Sequence, residues 1–96
     1  MPGRLVTVVT DIEGWVEGQG FTYKQTYERE TCEMSESEIN SEDCDWSWWE
    51  VNEDIESDPR KDTIITVTVY DGNDISDCSI LARWSTSEKQ LIEQFK

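Results

Sequence analysis

Apolar and polar positions alternate along five stretches of the chain, and each alternation predicts a strand. "RLVTVVT" (4–10) is rich in β-branched residues, with Leu5 and Val9 on one side. In "FTYKQTYERET" (21–31), Phe21, Tyr23 and Tyr27 share one face against Thr22, Lys24, Thr26 and Glu28. That pattern predicts a half-buried strand antiparallel to the first. "WSWWEV" (46–51) sets Trp46, Trp48 and Glu50 against Ser47, Trp49 and Val51, which reads as an edge strand. "TIITVTVY" (63–70) is the clearest strand signal, and "CSILARW" (78–84) reads as its return partner, with a helix from Asp74 as the alternative.

Turn and cap residues divide these runs. Gly14, Gly18 and Gly20 predict a turn or hairpin loop in "WVEGQG", and Asp71-Gly72-Asn73-Asp74 predicts another turn. Ser85, with Glu88 three residues later, predicts the N-cap of a helix over "EKQLIEQF", whose Leu91, Ile92 and Phe95 form an apolar stripe. Ser35 and Glu38 fit a capping box at the head of "MSESEINSEDC" (34–44). Apolar support there is thin, so the segment reads as a short helix or an acidic loop. "NEDIESDPRKD" reads as a polar connection containing Pro59. The elements add up to one α+β domain over 1–96: an antiparallel sheet of about four to five strands, a C-terminal helix on one face, and room for a second short helix.

Composition complicates this picture. Only 35% of the 96 residues are hydrophobic, against roughly 45–50% in typical domains when glycine is counted. Such a low fraction in an acidic chain raises the disordered alternative. The β-patterned runs argue against it, as do five Trp, three Tyr and two Phe, since each aromatic buries about 150–250 Å².

Charge narrows the range of partners. Twenty-two acids against eight bases leave −14, so direct contact with nucleic acid or an anionic membrane is repulsive. The charge is also concentrated. Residues 28–58 hold thirteen acids and the single base Arg29, a local −12, while the rest of the chain carries −2. Halophilic solvation would spread the acids over the whole surface, which this distribution does not do.

Catalytic chemistry finds little support. There is no histidine, so Ser-His-Asp and Cys-His arrangements cannot be assembled within one chain. No glycine-rich phosphate loop occurs. With so many carboxylates in one stretch, any acid–base pairing carries no information. "DGNDISD" fails as a calcium loop because Ile75, Ser76 and Ala82 stand where an EF-hand needs an oxygen ligand, Gly and Glu. Cys32, Cys44 and Cys78 are odd in number and lack CxxC spacing, so zinc is not expected. They read as free thiols in a reducing, cytoplasmic setting. The apolar run Leu5–Val9 is too short for a signal peptide, and no run approaches a membrane span. The expectation is a non-enzyme with no cofactor and no metal.

The acidic segment is the remaining candidate site. One acid per about 2.4 residues would put a charge every ~3.6 Å along a helix, close to the ~3.4 Å spacing of phosphates on one DNA strand. On a strand, Glu28 and Glu30 would lie about 6.7 Å apart on one face. The candidate partner-binding residues are Glu36, Glu38, Glu42, Asp43, Asp45, Trp49, Glu50, Glu53, Asp54 and Glu56. Trp46 and Trp48 read as core residues on the inner side of the edge strand, and Trp49 as the exposed anchor. Carboxylates speed association with a basic groove, and a desolvated tryptophan stacked on arginine slows departure.

In size, acidity, α+β outline and lack of a catalytic set, the chain resembles small phage-encoded inhibitors of bacterial defence, the anti-CRISPR and anti-restriction proteins that include DNA mimics. The resemblance rests on overall character and on segment 28–58, with no motif matched. It implies a basic nucleic-acid-binding protein or ribonucleoprotein complex as partner, in the host cytoplasm. Nuclease-immunity proteins share the same profile. A non-catalytic structural or interaction domain, such as a phage or halophile accessory protein, is the alternative of another class.

Overall fold

The computed structural model of the protein describes residues 3–40 and 44–95. It contains four strands: β1 (Arg4–Val16), β2 (Gly20–Met34), β3 (Lys61–Asp71) and β4 (Ile80–Ser87). All neighbours pair antiparallel, in the order β2-β1-β3-β4. Three helices complete the fold: α1 (Glu36–Ile39), α2 (Glu53–Ser57) and α3 (Glu88–Gln94). The architecture is the expected α+β sheet with a C-terminal helix.

The β1–β2 hairpin turns through Glu17-Gly18-Gln19, where Gly18 has φ 87°, a conformation glycine adopts without steric cost. Gly14 is needed for a different reason: a Cβ there would collide with the ring of Tyr23 lying across it. The β3–β4 connection turns at Gly72 and ends in a single 3₁₀ turn, Asp77–Ser79. The strand reading of the last run is therefore the one the chain adopts. β4 extends beyond Trp84, since Ser87 still pairs with Ile64. The N-cap of α3 is accordingly Ser87, whose hydroxyl accepts from the Gln90 N–H at 3.2 Å, and not Ser85.

One face of the sheet is covered. Leu5 and Val9 do share a side of β1, where Leu5 is exposed and Val9 buried at 7%, but both core clusters form on the other side. Val6 and Val69 pack with Ile39 of α1, while Ile12, Ile65 and Val67 pack with Trp46 and Leu91. In the apolar stripe of α3, only Leu91 is fully buried and Phe95 is exposed. On the opposite face, the Thr7 hydroxyl donates to the Gly72 carbonyl at 2.7 Å, and Arg83 Nε donates to Thr68 at 3.2 Å. Overall extents of 44 × 28 × 17 Å fit one sheet and one covering layer, which stack about 10 Å apart.

The expectation of a half-buried β2 is not met. Residues 21–31 are exposed throughout, and Phe21 is 63% accessible. The cover meets this edge through Trp49, whose ring lies 5.0 Å from that of Tyr27, and leaves most of the strand open. Phe21 meets Trp15 edge-on at 5.0 Å between ring centroids. The pairing with β1 also shifts register between Thr10 and Asp11, leaving Tyr27 as an extra residue. Such a bulge re-aims the side chains beside it.

Segment 46–51 is not a strand. Asp45 Oδ1 accepts from the Ser47 N–H at 3.0 Å, and the Trp49 N–H closes a turn on the Trp46 carbonyl at 3.0 Å. The segment lies over the sheet instead of extending its edge. The stretch read as a polar connection contains α2. Asn52 caps it by accepting from the Asp54 N–H at 2.9 Å, and Ile55 is its one buried residue.

Glu88 holds α2 in place. Its carboxylate is buried and accepts from the backbone N–H of Asn52 at 2.8 Å, joining the start of α3 to the start of α2. Lys89 Nζ adds a second tie, donating to the Asp58 carbonyl at 3.0 Å. Glu88→Ala should cost about 1–3 kcal/mol in urea unfolding, because it strands the Asn52 N–H. Glu88→Gln keeps an acceptor and should cost clearly less; equal losses would refute this role.

Candidate protein-docking face

The chain leaves β2 at the edge of the sheet and must pass β1 to reach β3, and the described residues 35–40 and 44–60 lie along the covered face. This crossover holds most of the acidic segment. At one end α1 packs on Val6 and Val69. At the other, Ile55 of α2 lies near Gly14 and Thr63. Those anchor points are eight residues apart on β1, or about 26 Å. Glu36 and Glu38 therefore stand at one end of the sheet and Glu53, Asp54 and Glu56 at the other, with Asp45 and Glu50 on the chain between them, and no single described helix or strand carries the regular ladder expected from their spacing.

Several candidate residues have local roles as well. At the α1 end, Ser35 and Glu38 close the expected capping box: Glu38 N–H donates to the Ser35 hydroxyl at 3.2 Å, and Ser35 N–H donates to Glu38 Oε1 at 3.1 Å. The Ser35 backbone and hydroxyl hydrogen bonds hold the Glu38 carboxyl below its ordinary range. Glu36 faces Arg4 at 3.5 Å. Asp45 is likewise lowered, chiefly by the Ser47 backbone N–H. Glu53, Asp54 and Glu56 are exposed on α2, and Glu50 is exposed before it. Glu42 and Asp43 lie outside the described residues.

The tryptophans are arranged differently from the expectation. Trp46 is core at 7% exposure, as read, but Trp48 is the exposed one at 46%. Trp49 is half-buried, so it is not the exposed anchor. Turn geometry is the cause: with no strand alternation, positions 46 and 48 need not share a side. The rings form a train. Trp46 stacks on Trp48 at 6.2 Å, Trp48 meets Trp49 edge-on at 5.7 Å, and Trp49 packs on Tyr27 of β2 at 5.0 Å. The Trp49 indole N–H is buried without an acceptor.

Between the two core clusters the cover leaves a cleft of about 470 Å³. Its floor is apolar, formed by Val8, Val67, Val69 and Trp84, with Trp48 as an aromatic wall. Among the described residues, four carboxylates line it: Glu28 and Glu30 from β2, Glu38 from α1, and Asp45. The β1 register explains the first two, since Glu30 lies opposite Val8 and Glu28 opposite Thr10 on the covered face. Neither glutamate was among the candidate partner-binding residues. The i, i+2 spacing signalled a shared face but not which one.

Among the described residues, no group of three or more Cys, Asp or Glu is placed to hold a metal ion. No described helix is long and apolar enough to cross a membrane. The three cysteines are unpaired. Burial raises the Cys44 thiol, with Asp45 adding to it, and raises Cys32, with Glu30 and Glu38 adding to it. The chain matches no protein-family model, no curated protein and no solved structure.

Two measurements check this arrangement. Trp46→Ala should cost about 3–5 kcal/mol of unfolding free energy as a core truncation, whereas Trp48→Ala should cost about 1 kcal/mol, the order of its ring contacts. A reversed ranking would overturn the assignment of core and surface. In native alkylation near pH 7, exposed Cys78 should react first, with Cys32 and Cys44 lagging because raised thiols hold less thiolate. Peptide mapping reads the order, and a first adduct on Cys44 would contradict it.

Proposed function

We propose that the protein is a non-catalytic acidic inhibitor. It docks on the basic nucleic-acid-binding surface of a bacterial defence nuclease or CRISPR effector and blocks access of the nucleic acid. The observation that carries this reading is the crossover itself. The most acidic part of the chain forms the outer layer of the fold, with its glutamates exposed at both ends of one face. A carboxylate surface of this density attracts lysine- and arginine-rich grooves and repels phosphate. The irregular spread of acids over about 26 Å, from α1 to α2 with others between, favours a decoy that matches a groove along its length, more than one imitating a phosphate ladder step by step.

The test is competition at controlled salt against purified defence nucleases and CRISPR effectors. Affinity for the target should fall by at least about a hundredfold between ~50 and ~500 mM salt, as expected for several screened charge pairs. Target nucleic acid should be displaced. Salt-insensitive binding, or a ternary complex in which the effector holds DNA and this protein together, would overturn the proposal.

A further inference from the structure

The cleft is a more specific feature than the acidic face around it. Of its floor, Val67 and Val69 are already buried, at 4% and 0% exposure, while Val8 and Trp84 are only half-buried and border the open hollow beside exposed Trp48. Its ~470 Å³ is roughly three times the ~150 Å³ cavity that holds a benzene molecule. Glu38 and Asp45 stay ionised below the ordinary carboxylate range because backbone N–H groups hold them. Among the described residues, none of the four lining carboxylates forms an ion pair. An apolar floor, an aromatic wall and several negative oxygens above it suit one kind of occupant: a long apolar stem ending in a cation.

We propose that this cleft is a socket for an arginine side chain presented by the protein partner. The inference rests on the acidic-docking reading and deepens it by naming the contact that gives specificity. Arginine fits better than lysine for three reasons. Its planar guanidinium can stack on the Trp48 ring, its five N–H donors can serve several of the carboxylates at once, and it gives up water more readily than an ammonium. The arginine belongs to a protein because the acidic surface extends well beyond the cleft to α1 and α2, where a free amino acid would leave most charges unmatched.

The test uses hexa-arginine amide and hexa-lysine amide as probes, titrated at about 100 mM salt. Binding is followed by calorimetry and by the NMR resonances of Val8, Thr10 and Val67. The wild type should prefer the arginine peptide by about tenfold, the scale of one partly desolvated cation–π contact. Both Glu28→Gln/Glu30→Gln and Trp48→Ala should abolish that preference. All three are exposed positions, and thermal unfolding confirms that each variant is folded. Glu53→Gln/Glu56→Gln, on α2, should weaken both peptides alike and leave the preference intact.

Equal affinity for the two peptides would refute the socket. So would loss of the preference in the α2 variant. Either result leaves acidic docking standing, provided binding still weakens with salt. If neither peptide binds even at low salt, the socket and the acidic-docking reading fail together. Free arginine binding as tightly as the peptide, with shifts at the same resonances, would replace the protein partner with a small molecule.

Discussion

A chain that runs from β2 to β3 in the order β2-β1-β3-β4 has to cross the sheet, and that crossing constrains everything else. The covered face presents Val6, Val8, Ile12, Ile65, Val67 and Val69, and the crossing segment is what must shield them. The same segment, residues 35–60, carries ten of the chain's twenty-two acids. It has few apolar residues to spend on the task. Tryptophan resolves the conflict, because one indole covers as much surface as two or three smaller side chains. The placement of Trp46, Trp48 and Trp49 among carboxylates thus follows from the topology. Where cover must be thin and charged, each apolar residue has to be large.

Charge crowding carries its own cost, and the structure offsets part of it locally. Acids sit at the N-terminal turns of α1 and α2, where unpaired N–H groups favour negative charge. Glu38, Asp45 and Asp58 each accept a backbone N–H and are held below their ordinary range by it. A lowered carboxyl stabilises the fold above its unfolded value, and that contribution disappears as pH falls through the folded value. Repulsion among the remaining acids works in the opposite sense, relaxing as they protonate. Acidification therefore loosens the capped turns while it relieves the surface between them.

Local signals in the sequence are legible where the backbone alone decides. Gly18 and Gly72 sit in turns with positive φ, and the Ser35–Glu38 box closes as its spacing implies. Where tertiary context decides, local pattern misleads. The alternation in "WSWWEV" looked like a strand, but Asp45 captures the Ser47 N–H and turns the chain instead. Ser85 had cap spacing, yet pairing of β4 with β3 persists to Ser87 and moves the cap two residues on. The short helix α2 had a legible start in Asn52 and its acidic first turn, a signal masked by Pro59 and the surrounding polarity. Alternation sets Glu28 with Thr22, Lys24 and Thr26, opposite the aromatics, but the bulge at Tyr27 and the register with β1 bring Glu28 and Glu30 onto the covered face.

That register has a consequence for how edge and site relate. Charged residues aimed inward on an edge strand discourage other chains from adding to the sheet, and Glu28 and Glu30 serve that purpose wherever they stand on β2. Their position opposite Val8 and Thr10 adds a second effect. No apolar cover can close over the floor there without burying carboxylates, so the cleft stays open for as long as they remain charged. A cation would relieve that conflict, neutralising the acids while its stem covers Val8. The open cleft and the uncovered edge then share one cause, two glutamates in register with the centre of the core.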